Sequence, residues 1–192
     1  MAPVDTKKMR VFLALPLAEL FGAEVAPFIE KWRSQFPAVR WVKSTDIHVT
    51  LHFFGPVEKE SVERINALVR PLAQACAPFE ISLKSTGAFP SLSHPRVFWV
   101  GMEGNIAPLS QLQNEISKSL SGAGYSVEER AFKPHLTVGR VREGKKESFL
   151  PAALDFPPTR PGRMDRIVLF QSELTPGGSH YEILETYPFS KA

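Results

Sequence analysis

Strand-like and helix-like segments follow one another in an order that few architectures accommodate. Apolar and alternating patterns predict strands at residues 10–17, 78–89, 96–102, 132–141, 166–174 and 180–189, and one or two more at 39–54. Amphipathic patterns predict helices at residues 18–35, 58–75 and 109–120, and a shorter one at 143–154. Because short turns join several strands, we expect an α+β fold with antiparallel or mixed sheets, not a doubly wound parallel sheet.

Composition and length fit a single globular domain. The chain has 192 residues, of which 43% are hydrophobic and 22% charged, so we expect one domain over residues 1–192 with a flexible segment at 1–8. No apolar run approaches the ~20 residues of a membrane span, and the N-terminal residues lack the apolar region of a secretory signal. We therefore expect a cytoplasmic protein that does not enter a membrane.

Charge, cysteine content and missing motifs argue against several kinds of site. The net charge of +3 permits an anionic substrate, but no run of Lys or Arg marks a polybasic tail. Cys76 is the only cysteine, and its small apolar neighbours favour helix packing over a nucleophilic role. The sequence contains no GxGxxG, no GxxxxGK followed by Ser or Thr, and no HExxH, so we expect neither a cofactor nor a metal.

A His-x-Thr unit occurs twice, once in each half of the chain. The units are His48 to Thr50 and His135 to Thr137, and both lie in short apolar segments. On a strand, residues i and i+2 share a face and lie about 6.6 Å apart. Each unit therefore directs one imidazole and one hydroxyl to the same side, and the repeat suggests two lobes that face each other across a cleft.

The same alternation yields expectations for the neighbouring residues. It places His52 on the face of His48, where it either contacts the substrate or, as we favour, lines the rim of the site without a chemical role, and it places Phe53 on the opposite face, in the core. Beside the second unit, Arg130 and Lys133 are either contacts to phosphate groups of a substrate or solvated charges. Tyr181 either packs at the start of a strand or reaches the site.

Two histidines on opposite sides of a phosphodiester suit acid–base catalysis. The ordinary histidine pKa lies near 6.5, so near neutral pH one ring can be neutral and the other protonated. The neutral ring takes a proton from water, the protonated ring gives one to the leaving alkoxide, and the threonine hydroxyls donate to the non-bridging oxygens. A strained 2′,3′-cyclic phosphate needs the least further help, and this scheme requires no metal. Hydrogen-bonded structural histidines remain the alternative.

Five segments together resemble one known family. They are RVFLALPL, RWVKSTDIHVTLHFFG, GAFPSLSHPRVFWVG, FKPHLTVGR and LFQSELTPGGSHYEIL. In content, order and spacing the chain resembles the two-histidine (2H) phosphoesterase superfamily, in particular the bacterial and archaeal RNA 2′,3′-cyclic phosphodiesterases, also called 2′-5′ RNA ligases. The resemblance implies a bilobal α+β fold, in which two pseudo-symmetric antiparallel or mixed sheets line a central groove and helices pack on the outside.

The resemblance also implies a role for each motif residue. His48 matches the proton donor to the leaving 3′-oxygen, and His135 matches the proton acceptor that activates water. Thr50 and Thr137 match the threonines that bind the substrate phosphate. Arg140 matches a basic residue that helps to hold the phosphate.

The implied partner is an RNA with a 2′,3′-cyclic phosphate or a 2′-5′ linked end. The implied reaction opens the cyclic phosphate to a 2′-phosphate without a metal. We infer no obligate protein partner, and a monomer is the default state. Reversible 2′-5′ ligation, cleavage of 2′-5′ oligonucleotides and RNA binding without turnover are the alternatives, and the intact His and Thr in both units argue against the last. Gly139 stands where the family commonly has Ala, and we expect no effect of it on the chemistry.

Overall fold

The computed structural model describes residues 8–146, 156–175 and 178–190. Within these residues the chain forms three α-helices, nine β-strands and one short 3-10 helix. The elements follow in the order β1 (Met9–Pro16), α1 (Ala18–Arg33), β2 (Val39–Trp41), the 3-10 helix (Ser44–Asp46), β3 (His48–Val57), α2 (Ser61–Gln74), β4 (Phe79–Pro90), β5 (Pro95–Gly104), α3 (Ala107–Gly122), β6 (Leu136–Val141), β7 (Gly162–Met164), β8 (Arg166–Thr175) and β9 (Gly178–Pro188).

The strands form two antiparallel sheets. The first sheet has the order β3-β1-β8-β9, and the second has the order β2-β6-β5-β4-β7. Every pairing described between neighbouring strands is antiparallel. The α+β class with antiparallel sheets that the sequence predicts is therefore confirmed. Strand β3 of the first sheet also contacts β6 of the second, which brings together the two strands that carry the His-x-Thr units.

The helices cover the faces of the sheets that carry buried aliphatic side chains. Helix α2 packs against β9, where the hydroxyl of Tyr187 donates to Oδ1 of Asn66 at 2.6 Å. Helix α1 packs against β2 and β7, and the ring of Phe21 lies so close to Gly162 that an added Cβ would be 2.7 Å from its Cζ. Helix α3 contacts α2 and β3. This packing leaves the opposite faces of β3 and β6 for polar side chains.

Most predicted elements are present, with shifted ends. The predicted helices at 18–35, 58–75 and 109–120 correspond to α1, α2 and α3. No helix forms over residues 143–146, and the rest of the predicted short helix lies outside the described residues, as do residues 1–7 of the expected flexible segment. Strand β7 is not predicted by the sequence pattern. Across the ranges that the structure describes, no helix is long and apolar enough to cross a membrane.

Candidate active site

His48 is the first residue of β3 and follows the 3-10 helix almost directly. Its Nδ1 lies 2.7 Å from the main-chain oxygen of Asp46, the last residue of that helix. Because a carbonyl oxygen only accepts, Nδ1 carries the hydrogen and donates it, and Nε2 is the nitrogen left to exchange a proton. The 3-10 helix thus fixes both the tautomer and the direction of the imidazole.

His135 is held in the same way beside the other sheet. Strand β6 begins at Leu136, so His135 lies one residue before the strand and not within it as predicted. Its Nδ1 donates to the main-chain oxygen of Lys133 at 2.7 Å, which again leaves Nε2 for proton exchange. Pro134 favours an extended conformation at Lys133 and so directs that carbonyl. Both histidines therefore use the same bond to the carbonyl two residues earlier.

Aromatic side chains from three strands surround His48. Its ring centroid lies 4.9 Å from that of Phe12 on β1 and 5.3 Å from that of Tyr181 on β9, which meets it edge-on at 86°. Phe170 on β8 lies 5.2 Å from Phe12 and 6.2 Å from His48. Edge-on and offset contacts of this kind restrict the imidazole to one orientation. Of the two roles left open for Tyr181, the structure favours contact with the site.

A second aromatic set supports His135. The ring of Phe89 on β4 meets His135 edge-on, with centroids 5.0 Å apart, and Phe89 contacts Trp99 on β5 at 5.5 Å. The indole of Trp99 lies over Gly87, where an added Cβ would be 2.1 Å from its Cζ2. Only a residue without a side chain fits beneath that indole, so Gly87 sets the position of Trp99 and, through Phe89, of His135.

Strand β3 contains a β-bulge that reverses its alternation. Thr50 and His52 pair with consecutive residues of β1, so Leu51 is the extra residue. As a result Phe53, and not His52, shares the face of His48 and Thr50. His52 is 7% exposed and Phe53 is 50% exposed. The predictions that His52 lines the site and that Phe53 packs in the core are therefore wrong, because they assumed an unbroken alternation.

Strand β6 contains a β-bulge at the equivalent position. Thr137 and Gly139 pair with consecutive residues of β5, so Val138 is the extra residue. Without the bulge, residues three apart on a strand would lie on opposite faces, but with it Arg140 shares the face of Thr137. The sixth residue counted from each histidine, Phe53 or Arg140, thus reaches the face that carries the threonine. We call this face of each sheet its motif face.

Both bulges have their extra carbonyl satisfied from outside the strand pair. The side-chain amide of Gln113 on α3 donates to the oxygen of Leu51 at 3.4 Å, a long bond. The main-chain N–H of Val42 donates to the oxygen of Val138 at 2.9 Å. Since buried main-chain groups are costly to leave unpaired, these donors help to hold the bulges in place.

Arg140 acts electrostatically on both histidines. Burial lowers the pKa of His48 below its ordinary value of 6.5, the carbonyl and the charge of Asp46 raise it, and the charge of Arg140 lowers it. Burial also lowers the pKa of His135, the carbonyl of Lys133 raises it, and the charge of Arg140 lowers it. Because His48 belongs to the first sheet and Arg140 to the second, one guanidinium acts on imidazoles from both sides of the site.

Both threonine hydroxyls are available to a ligand. Thr50 is exposed and Thr137 is half-buried. In the described part of the chain, neither hydroxyl has a hydrogen-bond partner. Two imidazoles, two hydroxyls and one guanidinium therefore lie on or beside the two contacting strands β3 and β6, a set of groups suited to a phosphate ester.

Comparison with known proteins adds a second line of evidence. The sequence model of the 2′-5′ RNA ligase superfamily matches residues 21–175, a range that includes both His-x-Thr units. The chain belongs to this superfamily. A curated RNA 2′,3′-cyclic phosphodiesterase of Thermotoga maritima is 34% identical to this superfamily member over 178 residues, which cover 92% of this chain and 93% of the relative. One of Methanothermobacter thermautotrophicus is 35% identical over 183 residues, covering 94% and 98%.

Solved structures show the same fold. A Thermus thermophilus protein is 28% identical, with a TM-score of 0.78 over 95% of this superfamily member and 98% of that chain. Escherichia coli LigT, solved in complex with 3′-AMP, has a TM-score of 0.74 at 24% identity, over 96% and 100% of the two chains. The latter likeness concerns the fold alone.

In the described part of the chain, neither Arg130 nor Cys76 contacts the cluster. Arg130 is exposed and faces Glu128 at 4.0 Å, as a solvated charge does. Cys76 packs partly against the core and lines a cavity of about 680 Å³ between α3 and β4, away from both histidines. Among the residues that the structure describes, no three His, Cys, Asp or Glu side chains are grouped so as to hold a metal ion.

Gly139 has a packing role that the sequence did not predict. It lies on the buried face of β6, where an added Cβ would be 2.7 Å from Cγ1 of Val39 and 3.2 Å from Cε3 of Trp41. Glycine at this position therefore leaves the room that the side chains of Val39 and Trp41 on β2 fill. That the residue has no effect on the chemistry stays a prediction.

Proposed function

We propose that this protein opens RNA 2′,3′-cyclic phosphate ends to 2′-phosphomonoesters by acid–base catalysis between two histidines, without a metal. The observation that carries the proposal is the matched pair of Nδ1–H bonds, which leaves Nε2 of both His48 and His135 for proton exchange. The names of the curated relatives, RNA 2′,3′-cyclic phosphodiesterases, support the substrate.

The two imidazoles have complementary roles in this reaction. Nε2 of neutral His135 accepts a proton from water as the water oxygen forms its bond to phosphorus. Nε2–H of protonated His48 donates its proton to the 3′-oxygen as the bond between phosphorus and that oxygen breaks. The products are a 2′-phosphomonoester and a free 3′-hydroxyl, and the two histidines end with their protonation states exchanged.

The other groups of the cluster act on the phosphate. Negative charge grows on the non-bridging oxygens as water adds, and the hydroxyls of Thr50 and Thr137 donate hydrogen bonds to them. The guanidinium of Arg140 adds a positive charge that acts on both histidines and can bind the phosphate. Because these groups are held by strands and their bulges, they need little reorganisation during the reaction.

The motif face of the first sheet offers an apolar surface for the nucleoside. Phe53 is 50% exposed, Ile183 is 60% exposed, and Arg10 lies over the ring of Phe53 at 5.3 Å from its centroid. An exposed aromatic ring stacks on any nucleobase, so this surface suits RNA of varied sequence. A 2′,3′-cyclic phosphate requires a 2′-hydroxyl, which restricts the substrate to RNA.

The deciding experiment is product analysis. A short RNA with a 2′,3′-cyclic phosphate end is incubated with the protein and EDTA, and the product end is identified by mass and by its resistance to a 3′-phosphatase. We expect a 2′-phosphate. A 3′-phosphate, no turnover, or loss of turnover with EDTA would contradict the proposal. The same mixture with an added 5′-hydroxyl RNA measures ligation, the alternative activity.

A further inference from the structure

Two arginines lie side by side on the motif face of the second sheet. Arg40 on β2 is the direct cross-strand partner of Arg140 on β6. Directly opposite residues of an antiparallel pair point to the same face, with Cβ atoms about 4.5–5.5 Å apart. Val39 and Trp41, the neighbours of Arg40, are buried on the other face, and Arg40 itself is exposed. Arg40 therefore extends the cationic surface of the site by one strand.

This arrangement lacks an internal counter-charge. Within the ranges that the structure describes, no carboxylate forms an ion pair with Arg40 or Arg140. Like charges directly opposite each other destabilise a strand pair. An anion between or beside the two guanidiniums would remove that cost, so the pair itself points to an anionic ligand. Guanidinium groups bind phosphate through paired N–H donors, which makes phosphate the best match.

The two arginines stand at different distances from the chemistry. Arg140 acts on the pKa of both His48 and His135, which places it at the reacting phosphate. Arg40 lies on β2, the edge strand of the second sheet, and is separated from β5 by β6. Since Arg140 serves the reacting phosphate, Arg40 on the outer strand is left for a second phosphate beside it.

The chemistry of the substrate identifies this second phosphate. A 2′,3′-cyclic phosphate closes the 3′ end of the RNA, so every further phosphate lies on its 5′ side. We propose that Arg40 binds the phosphodiester that joins the terminal nucleotide to the preceding one, and that the protein consequently prefers substrates of two or more nucleotides. This inference rests on the proposed function.

The test compares two substrates that differ in this phosphate. Adenosine 2′,3′-cyclic phosphate has only the reacting group, whereas ApA with a 2′,3′-cyclic end adds one phosphodiester. Arg40→Gln should raise KM for the dinucleotide by about tenfold or more, as expected for loss of a charge-assisted hydrogen bond, and leave kcat unchanged. KM for the mononucleotide should stay as in the wild type. Arg40→Lys, which keeps the charge, should restore part of the dinucleotide affinity.

Arg163→Gln is the matched control. Arg163 is exposed on β7, the opposite edge strand of the same sheet, so its removal makes the same charge change far from Arg40. It should alter KM for neither substrate. For the dinucleotide, the slope of log affinity against log salt should fall by about 0.7 in Arg40→Gln and stay unchanged in Arg163→Gln.

The outcomes separate this inference from the proposed function. No turnover of either substrate by the wild type would contradict the proposed function. The role of Arg40 would then still be tested by calorimetric titration, which measures Kd for the 2′-phosphate products of both substrates. An equal rise in KM or Kd for the two ligands would place Arg40 at the reacting phosphate and overturn the inference. No change for the dinucleotide, or a lower Tm in Arg40→Gln, would also overturn it.

Discussion

His48 and His135 are each held through Nδ1 and leave the same ring nitrogen, Nε2, for proton exchange. In each case Nδ1 donates to a main-chain carbonyl two residues earlier, at 2.7 Å. The shared arrangement means that the two rings do not differ in tautomer. The side chains around them therefore determine which one gives and which one takes the proton.

Loss of either imidazole should remove catalysis and leave the fold intact. We expect His48→Ala and His135→Ala each to lower kcat by at least roughly 10²–10⁴-fold, the usual contribution of a general acid or base. Turnover of an RNA 2′,3′-cyclic phosphate measures this. His94→Ala is the control, since His94 is exposed in the loop before β5. A near wild-type rate in either site variant would mean that its histidine is structural.

The pH–rate profiles should be bell-shaped, and the profile of kcat, which reports on the bound enzyme, should peak at higher pH than that of kcat/KM, which reports on the free enzyme. The pKa values of His48 and His135 both lie below 6.5 in the free protein, chiefly because of burial. The singly protonated pair is then most populated below that pH, so kcat/KM should be highest on the acid side of 6.5. An anionic substrate favours the protonated rings and raises both values, so kcat should peak at higher pH. A flat kcat/KM profile between about pH 5 and 8 would contradict a histidine pair.

Stability should fall as the pH drops below 6.5, and His52 should contribute to this fall. Burial lowers the pKa of His52 below 6.5, and no described residue pairs with its Nε2. The unfolded chain therefore binds more protons than the folded one, so this part of the stability is complete above pH 6.5 and is lost as pH falls through the lower folded pKa. In thermal unfolding between about pH 7 and pH 5, His52→Leu should lose less stability than the wild type. An unchanged pH dependence would contradict this assignment.

Phe53 should contribute to substrate affinity and not to folding. It is 50% exposed on the motif face, so Phe53→Ala should leave the Tm nearly unchanged. Loss of a stacked base should weaken binding by about 1–3 kcal/mol, measured as a higher KM. Leu174→Ala is the control and should leave both KM and Tm unchanged. Leu174 is 69% exposed on the same face, but it lies at the far end of β8. A large drop in the Tm of Phe53→Ala would instead indicate packing.

Gly139→Ala should destabilise the protein through contact with β2. Its Cβ would lie 2.7 Å from Cγ1 of Val39, which a buried strand residue cannot easily relieve. We expect a loss of about 1–3 kcal/mol in the free energy of unfolding, the usual cost of overpacking. Val39→Ala should recover part of this loss in the double variant, as a double-mutant cycle in denaturant measures. Additive effects would mean that the contact is relieved elsewhere.

The sequence predicts the elements well because their patterns are long and local. Each of the three long helices has an apolar stripe of several turns, which overrides the prolines within α1 and α2, Pro27 and Pro71. Strand β1 is predicted because its residues form an unbroken apolar run, and the structure buries that run on both faces. Strand β7 spans only Gly162–Met164 and is too short to produce a pattern, so it becomes visible only through its pairing with β4.

The site is predictable only up to the two bulges. Alternation places Thr50 beside His48 correctly, since the two residues precede the bulge, but it fails at His52 and Phe53, which follow it. A bulge depends on pairing with another strand, and pairing has no local signature in the sequence. For the same reason the cross-strand neighbour of Arg140 emerges only from the register of β2 and β6.

The paired bulges make spacing a functional property of this chain. Leu51 and Val138 contribute no group to the cluster, yet each shifts by one residue the position at which the next side chain returns to the motif face. Deleting Leu51 would remove the bulge and leave Phe53 on the motif face by plain alternation, and deleting Val138 would do the same for Arg140. A homologue without the extra residue would therefore carry the same group at the fifth position counted from the histidine and not at the sixth, so its motif would read differently while the motif face stayed the same.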